Sequence, residues 1–315
     1  MNGIIKTAIT ADEWKKVGTT NSVAKSLIQI RAHVRQVLEG ERLGMFVFGG
    51  AGLGKNYIVL DELAKHGHRE LQPITPAKVN DLLAEFHHAT YDKDRAKTRR
   101  QALPLVFDEA RLIFDTQANL NIMKLALDGG KGSKRFHFGY IWFSKEHNGY
   151  TEDGEEKFKT VRHTGTSLAA PIIAMTNKNL HDFDRKMQDH AEALLSRVPP
   201  IMIPDDPIAV WEYVIWLALT TDVITYHQGV SLPLAKRVAI IDWFTANLHN
   251  LANVSVRTLE KVRDDFATSN DELLDEDLEL HLKPKGKRVE MPGPRQLDWA
   301  ALRIALEQPI MRKAA

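Results

Sequence analysis

Val23, Leu27, Ile30, Val34 and Leu38 recur at helical spacing after Asn21 or Thr20, either of which can cap a helix, and Gly40 suits its end. The period then changes. Residues 45–48 are a short unbroken apolar run between Gly44 and Gly49, the pattern of a strand buried on both faces of a parallel sheet. A glycine-rich turn and a helix to about His66 follow, then an extended piece at 73–75 and a helix from Pro76 to about His88. Beyond the charged connector 91–100, residues 103–107 form a second apolar strand, and 117–127 a helix.

Residues 129–169 interrupt this alternation. The stretches 136–143 and 157–163 read as extended, with Gly149 and Gly154 between them, which predicts a β-hairpin insertion. A third apolar strand (171–176), a helix (183–195) and a fourth strand (200–203) complete an α/β domain over 1–204. At Pro204-Asp205-Asp206-Pro207 strands give way to helical patterns at 207–220, 231–249 and 255–268, predicting an all-helical domain over 205–269. The tail, 270–315, reads as a mobile linker, acidic at 270–276 and rich in Lys, Pro and Gly at 283–295. Trp299, Leu302, Ile304 and Leu306 suggest a last short helix.

Composition narrows the possible partners. The 315 residues hold 42 Lys and Arg against 41 Asp and Glu, a net charge of +1, so any affinity for nucleic acid must come from local patches. The absence of cysteine excludes disulfides, thiolate-bound zinc, iron–sulfur clusters and a cysteine nucleophile. The N-terminus has no secretory pattern, and the most apolar run, 207–220, is too short for a bilayer and carries Glu212. A cytoplasmic protein with no membrane association is expected.

Gly49-Gly50-Ala51-Gly52-Leu53-Gly54-Lys55-Asn56 fits the phosphate-binding P-loop at every position but the last. Glycines let the backbone N–H groups of such a loop wrap phosphates, Lys55 adds a charge near the β and γ phosphates, and the following helix adds a favourable dipole. Asn56 stands where Ser or Thr normally offers a hydroxyl to Mg²⁺; its amide oxygen can take that place less compactly. The strand 103–107 delivers Asp108 and Glu109 at its C-terminal end, the edge at which open α/β sheets bind ligands. Asp108 is the candidate metal holder through water, and Glu109 the group that orients or deprotonates an attacking water.

With these two motifs, Ala170 to Asn179 (APIIAMTNKN) resembles the strand carrying the first sensor of AAA+ ATPases. Leu194 to Val198 (LLSRV) resembles their arginine-finger segment, and Val254 to Leu259 (VSVRTL) their second sensor. The likeness covers about residues 20–268, with its five elements in the family's order. It implies a P-loop NTPase sheet sandwiched by helices, followed by a helical lid, that binds ATP and Mg²⁺ and hydrolyses ATP to ADP and phosphate.

By this resemblance Asn177, with Thr176 beside it, holds the attacking water or the γ phosphate; its plainer role is a strand-end turn residue. Arg197 reaches a nucleotide held by the adjacent subunit of a homo-oligomer, usually a hexamer; alternatively it is a helix-end cation, with Arg185 or Arg162 taking the finger's place. Arg257 contacts the nucleotide from the lid, or is a solvated helix residue.

The hairpin before the first sensor resembles the insertion of the AAA+ branch that includes helicases, helicase-like viral ATPases, unfoldases and MoxR-type remodellers. There it commonly lines a central pore. Compact size suggests a small phage- or plasmid-type ATPase. Lys131, Lys134, Arg135 and Phe136, with His137, Phe138, Tyr140 and Trp142, combine cations with aromatics as single-stranded nucleic acid requires. The aromatics equally suit one buried hairpin face. His66, His68, His87 and His88 complete no metal site. Three functions follow: a motor on DNA, a remodeller of a protein partner, or a nucleotide-dependent assembly switch with little hydrolysis, which Asn56 keeps open.

Overall fold

The computed structural model describes residues 11–69, 71, 73–75, 79–91, 103–108, 110, 113–114, 116–127, 136–138, 142–151, 153–164, 166–168, 170–178, 185–198, 200–269 and 273–288. Helices α1 (Ala11–Thr20) and α2 (Ser22–Leu38) lead to strand β1 (Gly44–Phe48), then α3 (Lys55–Lys65), α4 (Val79–Tyr91), β2 (Leu105–Phe107) and α5 (Gln117–Leu127). Next come β3 (Phe136–Phe138), β4 (Trp142–Tyr150), β5 (Glu156–His163), β6 (Thr166–Leu168), β7 (Ile172–Thr176), α6 (Arg185–Leu195) and β8 (Pro200–Met202). The chain continues through α7 (Pro207–Thr220), β9 (Tyr226–His227), β10 (Val230–Ser231), α8 (Leu234–Ala246), α9 (Val256–Thr268) and α10 (Leu274–Glu279). It divides into two compact units. The sheet unit comprises Gln29–Gly49 and Lys55–Met202; the helical unit comprises Met1–Ile28, Gly50–Gly54 and Ile203–Ala315.

The sheet unit is mixed α/β, with a four-stranded parallel sheet ordered β2-β7-β1-β8. Every residue of β1, β2 and β7 is buried, as their unbroken apolar runs require. The extended piece near Pro73 makes a parallel bridge from Ile74 to Phe107, outside β2. At the other end of β1 the backbones lie so close that a Cβ on Gly44 would sit 2.5 Å from the Ile172 carbonyl oxygen. Phe46 and Phe48 pack edge-on against Phe114, and Phe86 against Phe107, in a core that also takes Leu82 of α4, Leu120 of α5 and Leu194 of α6.

The hairpin insertion is present, but in two ribbons. β3 pairs with β6 and β4 with β5, both antiparallel, and the outgoing strand runs to Tyr150 where the alternation predicts an end at Phe143. The added residues, Ser144-Lys145-Glu146-His147-Asn148-Gly149, carry no apolar alternation because the two-stranded ribbon is largely solvent-exposed. Its base is tied to α4: Asn80 Oδ1 accepts from the Phe143 N–H at 2.8 Å, and its Nδ2 donates to the Phe143 carbonyl.

In the helical unit, α7 and α9 form where the pattern predicts them, while α8 is three residues shorter at each end than the predicted 231–249, with Ser231 in β10 instead. Asp206 Oδ2 accepts from Ala209 N at 2.9 Å with Pro207 opening α7, and Ser255 Oγ caps α9 through Thr258 N. Asn21, before α2, caps that helix through the N–H of Val23 and donates through Nδ2 to Ala209 O at 2.9 Å. Three features depart from expectation. Helix α1 has no counterpart in the sequence reading. A small ribbon, β9 with β10, breaks the all-helical pattern, turning at Gln228 and Gly229 in left-handed conformations. Where composition predicts a linker, 273–288 is folded: Lys283 N donates to Asn250 O at 2.7 Å, Leu251 bridges Leu282, and Arg288 grips Glu279 with two bonds of 2.9 and 2.8 Å. Hydrogen bonds and an ion pair order this segment, with Leu278 its buried apolar side chain, so an apolar pattern does not reveal it. The proposed helix at 299–306 lies outside the described residues. Among the described residues no helix is long and apolar enough to cross a membrane.

Candidate functional site

In the sheet unit three neighbouring parallel strands end side by side. Gly49, Asn177 and Asp108 are the first residues after β1, β7 and β2, and β7 lies between the other two. Lys55 opens α3. Its ammonium is buried and donates to Gly49 O and to Asn177 Oδ1, each at 2.8 Å. Asn56, next along α3, donates through Nδ2 to Asp108 Oδ2. The opposite amide orientation would set two acceptors against each other, so the carboxylate fixes the flip. Thr176 is buried, with Oγ1 accepting from Lys178 N at 3.2 Å. Lys55, Asn56, Asp108 and Asn177 are thus brought together.

In the helical unit the loop residues Gly50, Ala51, Gly52, Leu53 and Gly54 meet the segment that starts α9. Gly52 O accepts from Val256 N at 3.1 Å, and Asn253 Nδ2 reaches Ala51 O at 3.5 Å. Gly52 has φ +76°, and a Cβ there would lie 2.8 Å from Ser255 Oγ and 3.1 Å from Arg257 Cβ. Both conformation and space therefore require glycine. Arg257 is exposed in the first turn of α9 with its stem beside the loop. Gly54 is also left-handed, and a Cβ there would meet nothing within 4 Å. Sequence reasoning did not single out Asn253; its signal is a position two residues before an N-cap serine.

Arg197 is exposed just beyond α6, and its guanidinium folds back to the Ala193 carbonyl. Within one chain it acts as the helix-end cation. Arg162 on β5 and Arg185 at the start of α6 are exposed as well. Glu109, Lys131, Lys134 and Arg135 lie outside the described residues. Phe136 is described in its backbone alone, paired with Leu168. Among the described residues no group of three or more His, Asp or Glu is placed to hold a metal.

A charge network ties α3 to α2. Glu62 is fully buried and accepts from Arg35 and, at 3.2 Å, from Arg31; Asp61 accepts from Arg31 and from Lys65, the latter at 2.7 Å. Burial opposes ionisation of Glu62, but the hydrogen bond and charge of Arg35, with Arg31 behind it, hold its carboxyl below the ordinary value. Asp61 is lowered in the same way: burial opposes, while Lys65 and Arg31 outweigh it. The sequence signal for this network is two arginines one turn apart on α2 and an Asp-Glu pair on α3.

The donor set suits a polyphosphate with a hard cation. In the sheet unit a buried ammonium donates to Gly49 O and Asn177 Oδ1, and a carboxylate stands beside an amide side chain; within the helical unit, Gly52 and Gly54 are left-handed. Mg²⁺ bound with nucleotide takes one or two protein oxygens along with phosphate oxygens, so a pair of this kind suffices. Comparison of the chain with protein-family models, curated proteins and solved structures gives no match.

Proposed function

We propose that the protein is an ATPase of the AAA+ kind, binding ATP with Mg²⁺ on the loop 49–56 and hydrolysing it to ADP and phosphate within a homo-oligomeric ring, a hexamer by the family's habit. One observation carries this reading: the ends of three adjacent parallel strands present Lys55 bonded to Asn177 and Asn56 bonded to Asp108. A buried cation and a carboxylate beside an amide side chain at the strand ends are parts that phosphoryl transfer can use, because its catalysis is mostly positioning and charge stabilisation.

In this reading Lys55 holds the β and γ phosphates, Asn56 and Asp108 hold the metal, and Asn177 orients the water. Glu109 accepts the water's proton. Arg257 contacts the phosphates from the lid, and Arg197 acts on the neighbouring subunit's nucleotide. The metal supplies charge neutralisation at the phosphate oxygens. Titration of the protein with ATP and measurement of phosphate release, each compared with Lys55→Ala, test the proposal. Equal affinity in the two proteins removes the loop from the function.

The work done with this energy is read as action on DNA, gripped by Lys131, Lys134 and Arg135, which precede β3 in the chain, and by Phe136, its first residue. One observation favours the second reading, remodelling of a protein partner. The β4–β5 ribbon exposes Tyr150 by 65% and Phe158 by 52%, with the His147 ring against both, while Asp153 and Glu155 at its turn and Glu156 opening β5 disfavour a phosphate backbone there. ATPase assays with single-stranded DNA, duplex DNA, RNA or no polymer separate the two.

A further inference from the structure

The start of α9 meets the glycine-rich loop through backbone carbonyls. Val256 N–H donates to Gly52 O at 3.1 Å, and Asn253 Nδ2 lies 3.5 Å from Ala51 O. A trans peptide holds its C=O and N–H in opposite directions. Drawing the Ala51 and Gly52 carbonyls toward α9 therefore turns the N–H groups of Gly52 and Leu53 the other way, away from α9. Ser255, buried beside Gly52, fixes this arrangement from behind: its Oγ accepts from Thr258 N at 3.2 Å and from Asn253 Nδ2 at 3.3 Å.

We propose that Asn253, Ser255 and the Val256 N–H are positioning groups for phosphate: they orient the peptides of Gly52 and Leu53 so that their N–H groups face the polyphosphate before it arrives. The role rests on the proposed nucleotide function and adds to it. Arg257 contacts phosphate with its side chain, whereas these three groups act through the loop's own backbone. An unclamped glycine-rich loop would sample many peptide orientations and would have to be ordered on binding, at a cost in affinity.

The α9 end can be altered without dismantling the helix. Val256 is the first residue of α9, where proline is tolerated, and Ser255 before it is extended at φ −161° and ψ 162°, as a residue preceding proline must be. Val256→Pro removes the N–H that holds Gly52. Asn253 is exposed, so Asn253→Ala removes the second donor without opening a cavity.

Wild type, Val256→Pro, Asn253→Ala and Lys55→Ala are compared in ATP titration, steady-state ATPase kinetics and thermal melting. Expected for the two α9-end variants is a wild-type melting temperature, affinity weaker by on the order of tenfold, and KM raised with kcat falling less than about twofold. A merely structural defect would lower the melting temperature and kcat and leave KM unchanged. Should Val256→Pro misfold, Asn253→Ala carries the test alone. Wild-type ATP affinity in the folded variants, with Lys55→Ala defective, overturns the positioning role and leaves the phosphate loop standing. Wild-type protein that binds no ATP, or Lys55→Ala that binds it equally, overturns both.

Discussion

Lys55 Nζ donates a 2.8 Å hydrogen bond to Asn177 Oδ1, joining residues 122 positions apart in the chain. The bond exists because β7, formed late in the sequence, is inserted between β1 and β2. Phe48, at the end of β1, pairs with Thr176, so Asn177 and Gly49 follow directly from paired residues. Asn177 is thereby held by the cation that the proposed function assigns to the phosphates.

The two partners should fail differently. Lys55→Ala is expected to weaken ATP binding at least tenfold, since a charge-assisted bond to phosphate is lost (about 1.5–3 kcal/mol). Asn177→Ala is expected to keep near-wild-type affinity and to lower kcat by on the order of a hundredfold, as for other groups that act only in the transition state. Calorimetric titration together with single-turnover hydrolysis separates the effects. Loss of affinity in both, with no turnover defect in the Asn177 variant beyond that loss, would assign Asn177 to binding alone.

Arg197 is bonded to its own helix end, and it is exposed at the surface. If it acts between subunits, Arg197→Ala binds ATP normally and turns over slowly, and Glu109→Gln binds but does not hydrolyse. Mixtures of the two should regain part of the wild-type rate, because a site built from the intact half of each is complete. Phosphate release across mixing ratios, with mixed assemblies verified by native mass spectrometry, measures it. A flat response in verified mixtures returns Arg197 to its helix-end role.

The strands were legible because burial on both faces leaves an unbroken apolar run, as at 45–48, 103–107 and 171–176, and the helices of the helical unit because strand patterns stop at Pro204-Asp205-Asp206-Pro207 and helical ones follow. Spatial neighbours were not legible. Nothing in the order of the runs says that β7 separates β1 from β2, and so nothing predicts the Lys55–Asn177 bond. The β4 extension to Tyr150 and the fold at 273–288 escaped for a related reason: cross-strand pairing and ion pairs stabilise them in place of a buried stripe. The Gly52–Ser255 approach is visible only in three dimensions, though a glycine is what the loop motif already asks for.

The Glu62 network makes acid stability predictable in sign. A carboxyl whose folded value is depressed contributes stability that is fully present above the ordinary value of 4.5 and is lost as pH falls through the folded value. Glu62→Gln is expected to lower stability at pH 7 by about 1 kcal/mol, a modest figure because both arginines remain partly solvated, or a few degrees in Tm. The gap from wild type should narrow below about pH 4.5 and close in stronger acid. Thermal melts from pH 7 to pH 3 report this, and a gap that stays constant over that range would show that the Glu62 charge is not what stabilises the α2–α3 contact.

Asn56 bears on the metal. Its Nδ2 is engaged with Asp108 Oδ2, so the pair can present the Asn56 carbonyl oxygen and the Asp108 carboxylate together to a cation only with the amide turned or the contact loosened. A threonine hydroxyl donates a proton to one acceptor and still offers a lone pair, and it is smaller. Asn56→Thr is therefore expected to lower the Mg²⁺ concentration needed for half-maximal ATPase activity roughly several-fold, and Asp108→Asn to raise it, because a charged oxygen is removed. Mg²⁺ titrations of both activity and the binding of a slowly hydrolysed ATP analogue distinguish metal affinity from chemistry. An Asn56→Thr curve superimposed on wild type in both measurements would mean that residue 56 does not touch the ion, and that Asp108 acts on the metal without it.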